Sequence, residues 1–240
     1  MHKIITVVVV SFLLSAFAAC DDKPKKTVAQ KFAQEHQVEL TTFRTQLTTI
    51  TAAAKARAPL QNDGFSEKVQ LNTKKHDVIS STEAGNTRIW QLATLLDINA
   101  FPDIRLGANM SDLNELNKWI PDQEKTRPPD VRRMESIMKL EYILVLRVLE
   151  SKAAKQAEND SFTVGYIKAD AYLYRLKDAK YLGGVRFGAT SSNTIELRGA
   201  AATAKGLDRD MSIDIDLSLR AEKSLGKALM AAAPNTITYH

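Results

Sequence analysis

Enzyme chemistry near neutral pH draws most often on histidine and cysteine, and this 240-residue chain is poor in both. His2, His36, His76 and His240 are scattered along it, and Cys20 is its single thiol. A Ser-His-Asp arrangement needs an imidazole held by a carboxylate and facing a nucleophile. Only His36 and His76 are placed to attempt it, and neither sits in a G-x-S-x-G turn or an H-E-x-x-H helix. His36 falls on the apolar face of a helical pattern, where a packed or half-exposed side chain is expected. Structural zinc needs clustered Cys and His ligands, which these spacings do not supply. The acidic row Asp208, Asp210, Asp214 and Asp216 comes nearest to a metal site. A calcium-binding EF-hand loop carries glycine at its sixth position and glutamate at its twelfth. Counting from Asp208 those positions hold Ile213 and Leu219, and counting from Asp210 they hold Ile215 and Ala221. A solvated acidic face or a helix N-terminus accounts better for the row. The segment Gly183-Gly184-Val185-Arg186-Phe187-Gly188 lacks both the dinucleotide and the Walker spacings and sits inside a strand pattern. Its glycines point to a bulge or to the close approach of another backbone. No catalytic residue, cofactor-binding residue or metal ligand is nominated, no cofactor is expected, and a non-enzymatic role follows.

The elements that must carry any surface site can be read from periodicity. Between Thr27 and Arg57, Val28, Phe32, Leu40, Phe43, Leu47, Ile50 and Ala54 recur at steps of three and four, with His36 filling the single gap on that face, predicting a helix. Six threonines between Thr41 and Thr51 lower its intrinsic propensity, so it must depend on packing. Phe65 to Ser81 is polar, with a short extended piece at Lys68 to Leu71. A second helix is predicted over Asn86 to Asp97, and a third from an N-cap at Ser111 to Trp119, ended by Pro121. The charged, proline-bearing stretch 122–130 reads as a linker.

Beyond it the pattern changes. A helical start from Asp130 to Lys139 leads into Glu141 to Leu149, apolar on both alternating faces as a central strand covered on both sides should be. A continuous helix from Asp130 through Ala157 is the competing assignment. Thr163 to Leu176 then alternates, with Ile167, Ala169, Ala171 and Leu173 on one face and Lys168, Asp170, Tyr172 and Tyr174 on the other. Lys180 to Thr190 supplies the next strand, and Ser191 to Gly206 reads as a small-residue loop. Met211 to Ala232 is predicted helical, with Ser212 to Leu219 also satisfying a strand period. The face bearing Tyr166, Tyr172 and Tyr174 is the candidate partner face, because tyrosine joins apolar area to a polar tip. Its competitor is that the last helix or the N-terminal helices cover it.

The start of the chain carries the most specific signal. Lys3 precedes an apolar run from Ile4 to Phe17, and Phe17-Ala18-Ala19-Cys20 leads into Asp21-Asp22-Lys23-Pro24-Lys25-Lys26. This resembles the signal peptide and lipobox of a bacterial lipoprotein, with Phe17 where leucine is usual. The resemblance covers about the first 22 residues, and no family is recognised for the rest. It implies cleavage before Cys20 and lipidation there, which also accounts for a lone cysteine in an exported chain. The alternative is cleavage after Ala16-Phe17-Ala18, leaving a free thiol. Asp21, backed by Asp22, resembles the signal that retains such proteins in the inner membrane, with the outer membrane as the alternative. The apolar run is shorter than the roughly 20 residues a membrane span needs.

Composition allows a globular chain with a sizeable core. There are 33 basic and 28 acidic side chains and 44% hydrophobic residues. Lys3 is the one charged residue among the first 19, so 32 basic and 28 acidic remain, too even a balance for nucleic-acid binding. The basic cluster of Arg127, Arg132 and Arg133 beside Pro128-Pro129 reads as solvated. The expected organisation is a signal peptide over 1–19, a lipidated tether over 20–26, a helical region over 27–121, a linker over 122–130 and an α+β region over 131–240. The fold class is α+β: an N-terminal helical segment, then a short antiparallel meander sheet packed by a C-terminal helix. The expected function is a membrane-anchored, periplasm-facing lipoprotein that recruits or scaffolds an envelope protein partner. The alternatives are a small-ligand or lipid-binding module and an envelope enzyme.

Overall fold

The computed structural model describes residues 28–71, 86–96, 131–156, 162–192 and 207–233. In chain order the elements are α1 (Val28–Glu35), α2 (Gln37–Ala56), β1 (Gly64–Phe65), β2 (Thr87–Gln91), α3 (Leu92–Leu96), α4 (Val131–Met138), β3 (Tyr142–Lys152), β4 (Lys155–Gln156), β5 (Phe162–Thr163), β6 (Tyr166–Arg175), β7 (Lys180–Thr190) and α5 (Leu207–Ala232). Five strands form one sheet in the order β1-β7-β6-β3-β2, while β4 and β5 make a separate small hairpin. The three long strands are an antiparallel meander, β3 against β6 and β6 against β7. This is the expected α+β architecture.

The sheet is the middle of three layers because its strands are apolar on both faces. Leu144, Leu146, Ile167, Ala169, Ala171, Leu173, Val185 and Phe187 meet Leu217, Ala221, Leu225 and Leu229 of α5 in one core. Ile143, Val145, Tyr172 and Tyr174 point the other way, into a core shared with Leu40, Phe43, Ile50 and Ala54 of α2 and Met134 and Ile137 of α4. Helix and strand periods thus meet on each side as the sequence pattern requires.

Around this frame the expectations divide. The span 27–57 is helical but interrupted at His36 (φ −108°, ψ 23°), although backbone bonds from His36 N to Phe32 O and from Leu40 N to His36 O bridge the break. Five threonine hydroxyls of α2 (Thr41, Thr45, Thr48, Thr49 and Thr51) donate to the carbonyls four residues earlier, the local bonding that weakens threonine as a helix former. The helix predicted over 86–97 is corrected. Thr87–Gln91 is a strand parallel to β3, with Trp90 opposite Val145, and only Leu92–Leu96 is helical. Ile89 packs against the α5-side core and the adjacent Trp90 enters the α2-side core. Neighbouring large apolar residues directed to opposite sides are a strand's arrangement. The span 27–121 is therefore not wholly helical, since its β2 completes the sheet of the later region. The segment 212–219 is helix, not strand: Leu217 is buried, whereas Ile215 and Leu219 are 53% and 60% exposed. The extended piece at 68–71 joins no strand. The predicted helix at 111–119, the linker 122–130 and most of the loop 191–206 lie outside the described residues.

The outer edge of β7 is engaged at points from Leu182 to Gly188. Gly64 and Phe65 pair with Gly184 and Gly183. Ser66 donates its backbone N–H and its hydroxyl to Leu182 O, Asp63 accepts from Arg186 N, and Ser224 of α5 donates to Gly188 O. The register shifts between Leu173 and Tyr174, opposite the 181–183 stretch, so the expected glycine bulge is present. Gly183 holds φ at +141°, and a Cβ there would meet the Gly64 carbonyl oxygen and lie 2.7 Å from Phe65 Cα. Gly183→Ala therefore combines backbone strain with overpacking and should cost at least about 2 kcal/mol of stability, as read from denaturant unfolding.

Candidate functional site

The structure separates the three tyrosines of the candidate partner face. Tyr172 and Tyr174 are fully buried under α2, so those two are removed from any docking surface, and the cover is the N-terminal helix instead of α5. Burial pushes both phenol pKa values up, keeping the hydroxyls neutral. Their rings join Tyr181, at centroid separations of 6.3 Å and 5.5 Å, and the Arg57 guanidinium lies 3.5 Å above the Tyr181 ring.

At the end of this aromatic patch a buried carboxylate fastens the chain that leaves α2. Asp170, with no exposed side-chain surface, accepts from Arg186 Nε at 2.7 Å, from the backbone N–H of Leu60 at 2.8 Å and from Tyr172 Oη at 3.2 Å. Tyr172 Oη also lies 3.2 Å from Ala58 O, and Arg147 donates to Arg57 O. Segment 57–63 is thus held across the sheet by side chains from three strands. The sequence placed Asp170 on the correct face, but nothing in it showed that Leu60 would be its partner.

Past that segment the same face of the sheet opens. Lys152, Tyr166 and Thr190 form one cross-strand row, and Glu150, Lys168 and Gly188 form the next. All six are exposed, Tyr166 by 40%. Glu150 and Lys168 approach to 3.8 Å, and the missing side chain at Gly188 leaves the other flank of Lys168 uncovered. This apron is polar apart from one aromatic ring, Tyr166, in its outermost row. Helix α2 passes Lys177 at its middle, where Gln46 Nε2 donates to Lys177 O, and ends near Asp170. Its N-terminus therefore projects past the Leu176–Asp178 corner, at the end of β6 opposite the apron. Tyr166 is ten residues from Leu176, roughly 33 Å of strand.

The corner itself holds a second feature, a cleft of about 390 Å³ lined by Gln46, Leu140, Glu141, Tyr142, Arg175, Leu176 and Lys177. Arg175 is fixed by Glu67 at 2.8 Å and Asp178 at 2.7 Å, and Lys180 also pairs with Glu67. Hydrogen bonding from Arg175 holds the Asp178 pKa down at about 2. Sequence reasoning missed this cluster because its members are ordinary surface charges until the β6–β7 turn brings them together.

The remaining candidates contribute to packing. His36 packs on Phe32 at a ring-centroid distance of 4.3 Å with the rings tilted by 41°, and approaches Glu39 at 3.8 Å. Asp216 accepts from Ser192 N at 2.7 Å and pairs with Arg220 at 3.0 Å. Among the described residues no group of three or more His, Cys, Asp or Glu side chains is arranged to hold a metal. Cys20, Asp21, Asp22 and His76 lie outside the described residues. No described helix is long and apolar enough to cross a membrane.

No protein-family profile matches the chain, and no curated protein does. Among solved structures, a hypothetical protein of Chlamydia trachomatis overlaps 69% of this chain and 95% of its own at 8% identity with a TM-score of 0.26. At that similarity the overlap carries no argument about function.

Two stability predictions follow from the site. Tyr172→Ser and Tyr174→Ser should each cost about 3 to 5 kcal/mol in thermal unfolding, by analogy with buried aromatic truncations. Asp178 is deprotonated more readily in the folded chain than in the unfolded one. Its contribution is present above the ordinary aspartate range near 4 and is lost as pH falls through about 2. Acid unfolding followed between those values should lose part of its pH slope in Arg175→Gln.

Proposed function

We propose that this protein is a lipid-anchored lipoprotein facing the periplasm, held through Cys20 and retained at the inner membrane by Asp21 and Asp22, with a non-enzymatic role in recruiting or scaffolding an envelope partner. The observation that carries the partner reading is the apron. It is the part of the α2-side sheet face that the described helices leave exposed, and it presents Tyr166, the surviving member of the tyrosine face, among Lys152, Lys168, Glu150 and Thr190. The apolar side chains clustered on both faces of the sheet favour this role over one that encloses an apolar ligand within the sheet layers.

The anchor and the apron are compatible in space. Residues 20–27 reach at most about 29 Å when fully extended, which keeps the start of α1 close to the bilayer. The apron, at the opposite end of β6 from the α2 N-terminus, would then be carried away from the lipid surface toward the periplasmic space. One acyl chain gives only marginal attachment, so the diacylglyceryl and N-acyl groups implied by the lipobox supply the stable hold.

Two measurements test the reading. Cys20→Ser should abolish fatty-acid labelling and membrane partition in the native host, and unchanged labelling would refute the anchor. A photo-crosslinker at Lys168 or Thr190 should give one discrete adduct that the same group at Lys223 on α5 does not. Tyr166→Ser should weaken that adduct by more than about 1 kcal/mol in apparent affinity, as loss of an interface anchor does, while the melting temperature stays near wild type. Equal adducts from both faces would remove the apron as the docking surface.

A further inference from the structure

We propose that the cleft at the Leu176–Asp178 corner is a binding site for a small zwitterionic ligand of the size of a free amino acid or a dipeptide, separate from the apron and independent of the lipid anchor. Its volume of about 390 Å³ falls in the range of small-molecule sites, roughly 300 to 1,000 Å³. Three separate stretches of chain meet there: the middle of α2, the α4–β3 junction, and the end of β6 running into the turn that follows it.

The walls are formed in advance of any ligand. Leu176 N donates to Glu141 O at 2.7 Å, joining the two strand ends, and Gln46 Nε2 donates to Lys177 O at 2.6 Å, pinning the helix to the turn. Arg175 is locked by its two carboxylates behind the cleft and is not available to a ligand without breaking them. A rigid site avoids the ordering cost that weakens binding to mobile loops.

The lining also specifies a chemistry. Leu140 and Leu176 are buried apolar residues at the cleft. Glu141 and Lys177 are exposed members of the same lining, and neither side chain forms an ion pair with another described residue. Their backbone carbonyls are committed to the walls, whereas no described residue pairs with the carboxylate of one or the ammonium of the other. One charge of each sign beside an apolar surface suits a molecule bearing an ammonium, a carboxylate and a small apolar body.

Titration calorimetry on the full chain with dialanine, N-acetyl-dialanine and dialanine amide tests this. Dialanine should saturate with a Kd of about 1 mM or tighter, and each blocked form should bind at least about tenfold more weakly. Glu141→Gln should erase the discrimination against the N-acetyl form, and Lys177→Gln the discrimination against the amide. Both positions are exposed, so folding is expected to persist, and thermal unfolding of each variant checks it. No saturable heat with dialanine, equal binding of the three ligands, or discrimination unchanged in both variants would overturn the proposal. None of these outcomes bears on Cys20 labelling or on crosslinking at the apron.

Discussion

Burial of β3 and β6 on both faces is the constraint from which the other packing follows. A strand alternates its side chains, so Ile143 and Val145 require one apolar cover while Leu144 and Leu146 require another. One helix cannot provide both, and α2 with α4 must therefore lie opposite α5. The N-terminal helix is in this sense obligatory. Its threonine-rich sequence gives it little helical stability of its own, and the sheet gives it a place to be helical.

The double cover also explains where polar groups collect. Helix α2 ends above the middle of β6, and the chain leaving it must cross a face that is still buried. Backbone amides in such a crossing need acceptors. Asp170 supplies one for Leu60, and Arg186 balances the carboxylate, while Arg147 and Tyr172 engage the carbonyls of Arg57 and Ala58. Beyond this crossing nothing apolar remains to be covered on that face, and the residues turn to Lys168, Tyr166 and Thr190. The apron begins where the need for a lid stops.

Much of this fold was legible because the periods were unambiguous where both neighbours in a strand were informative. The strand β7 was delimited from sequence at the residues it occupies, and β6 differed at its edges. The 87–91 segment failed for a definite reason. Ile89, Trp90, Leu92 and Leu95 are spaced so that a broad helical face and a doubly buried strand leading into a helix fit equally well, and only pairing with β3 decides between them. The tyrosines failed differently. Alternation correctly placed Tyr166, Tyr172 and Tyr174 on one face, but how far a helix extends along that face is a matter of tertiary geometry, which periodicity does not carry. The corner cleft had no sequence signal, since its walls are joined by backbone bonds between Leu176 and Glu141 and by a single glutamine.

The engaged edge of β7 has a meaning beyond the stability of one molecule. An uncovered strand edge offers a row of free amides and carbonyls to any similar edge, and so invites runaway strand-to-strand association. Were the chain held at a bilayer surface, as proposed, copies would meet far more often than in bulk solution, and such a hazard would be more severe. With Ser66, Asp63, Ser224 and the two residues of β1 occupying that edge, neighbouring copies find little there to continue the sheet. The protein can crowd on that side without polymerising through β7, leaving association to be governed by side chains on its faces.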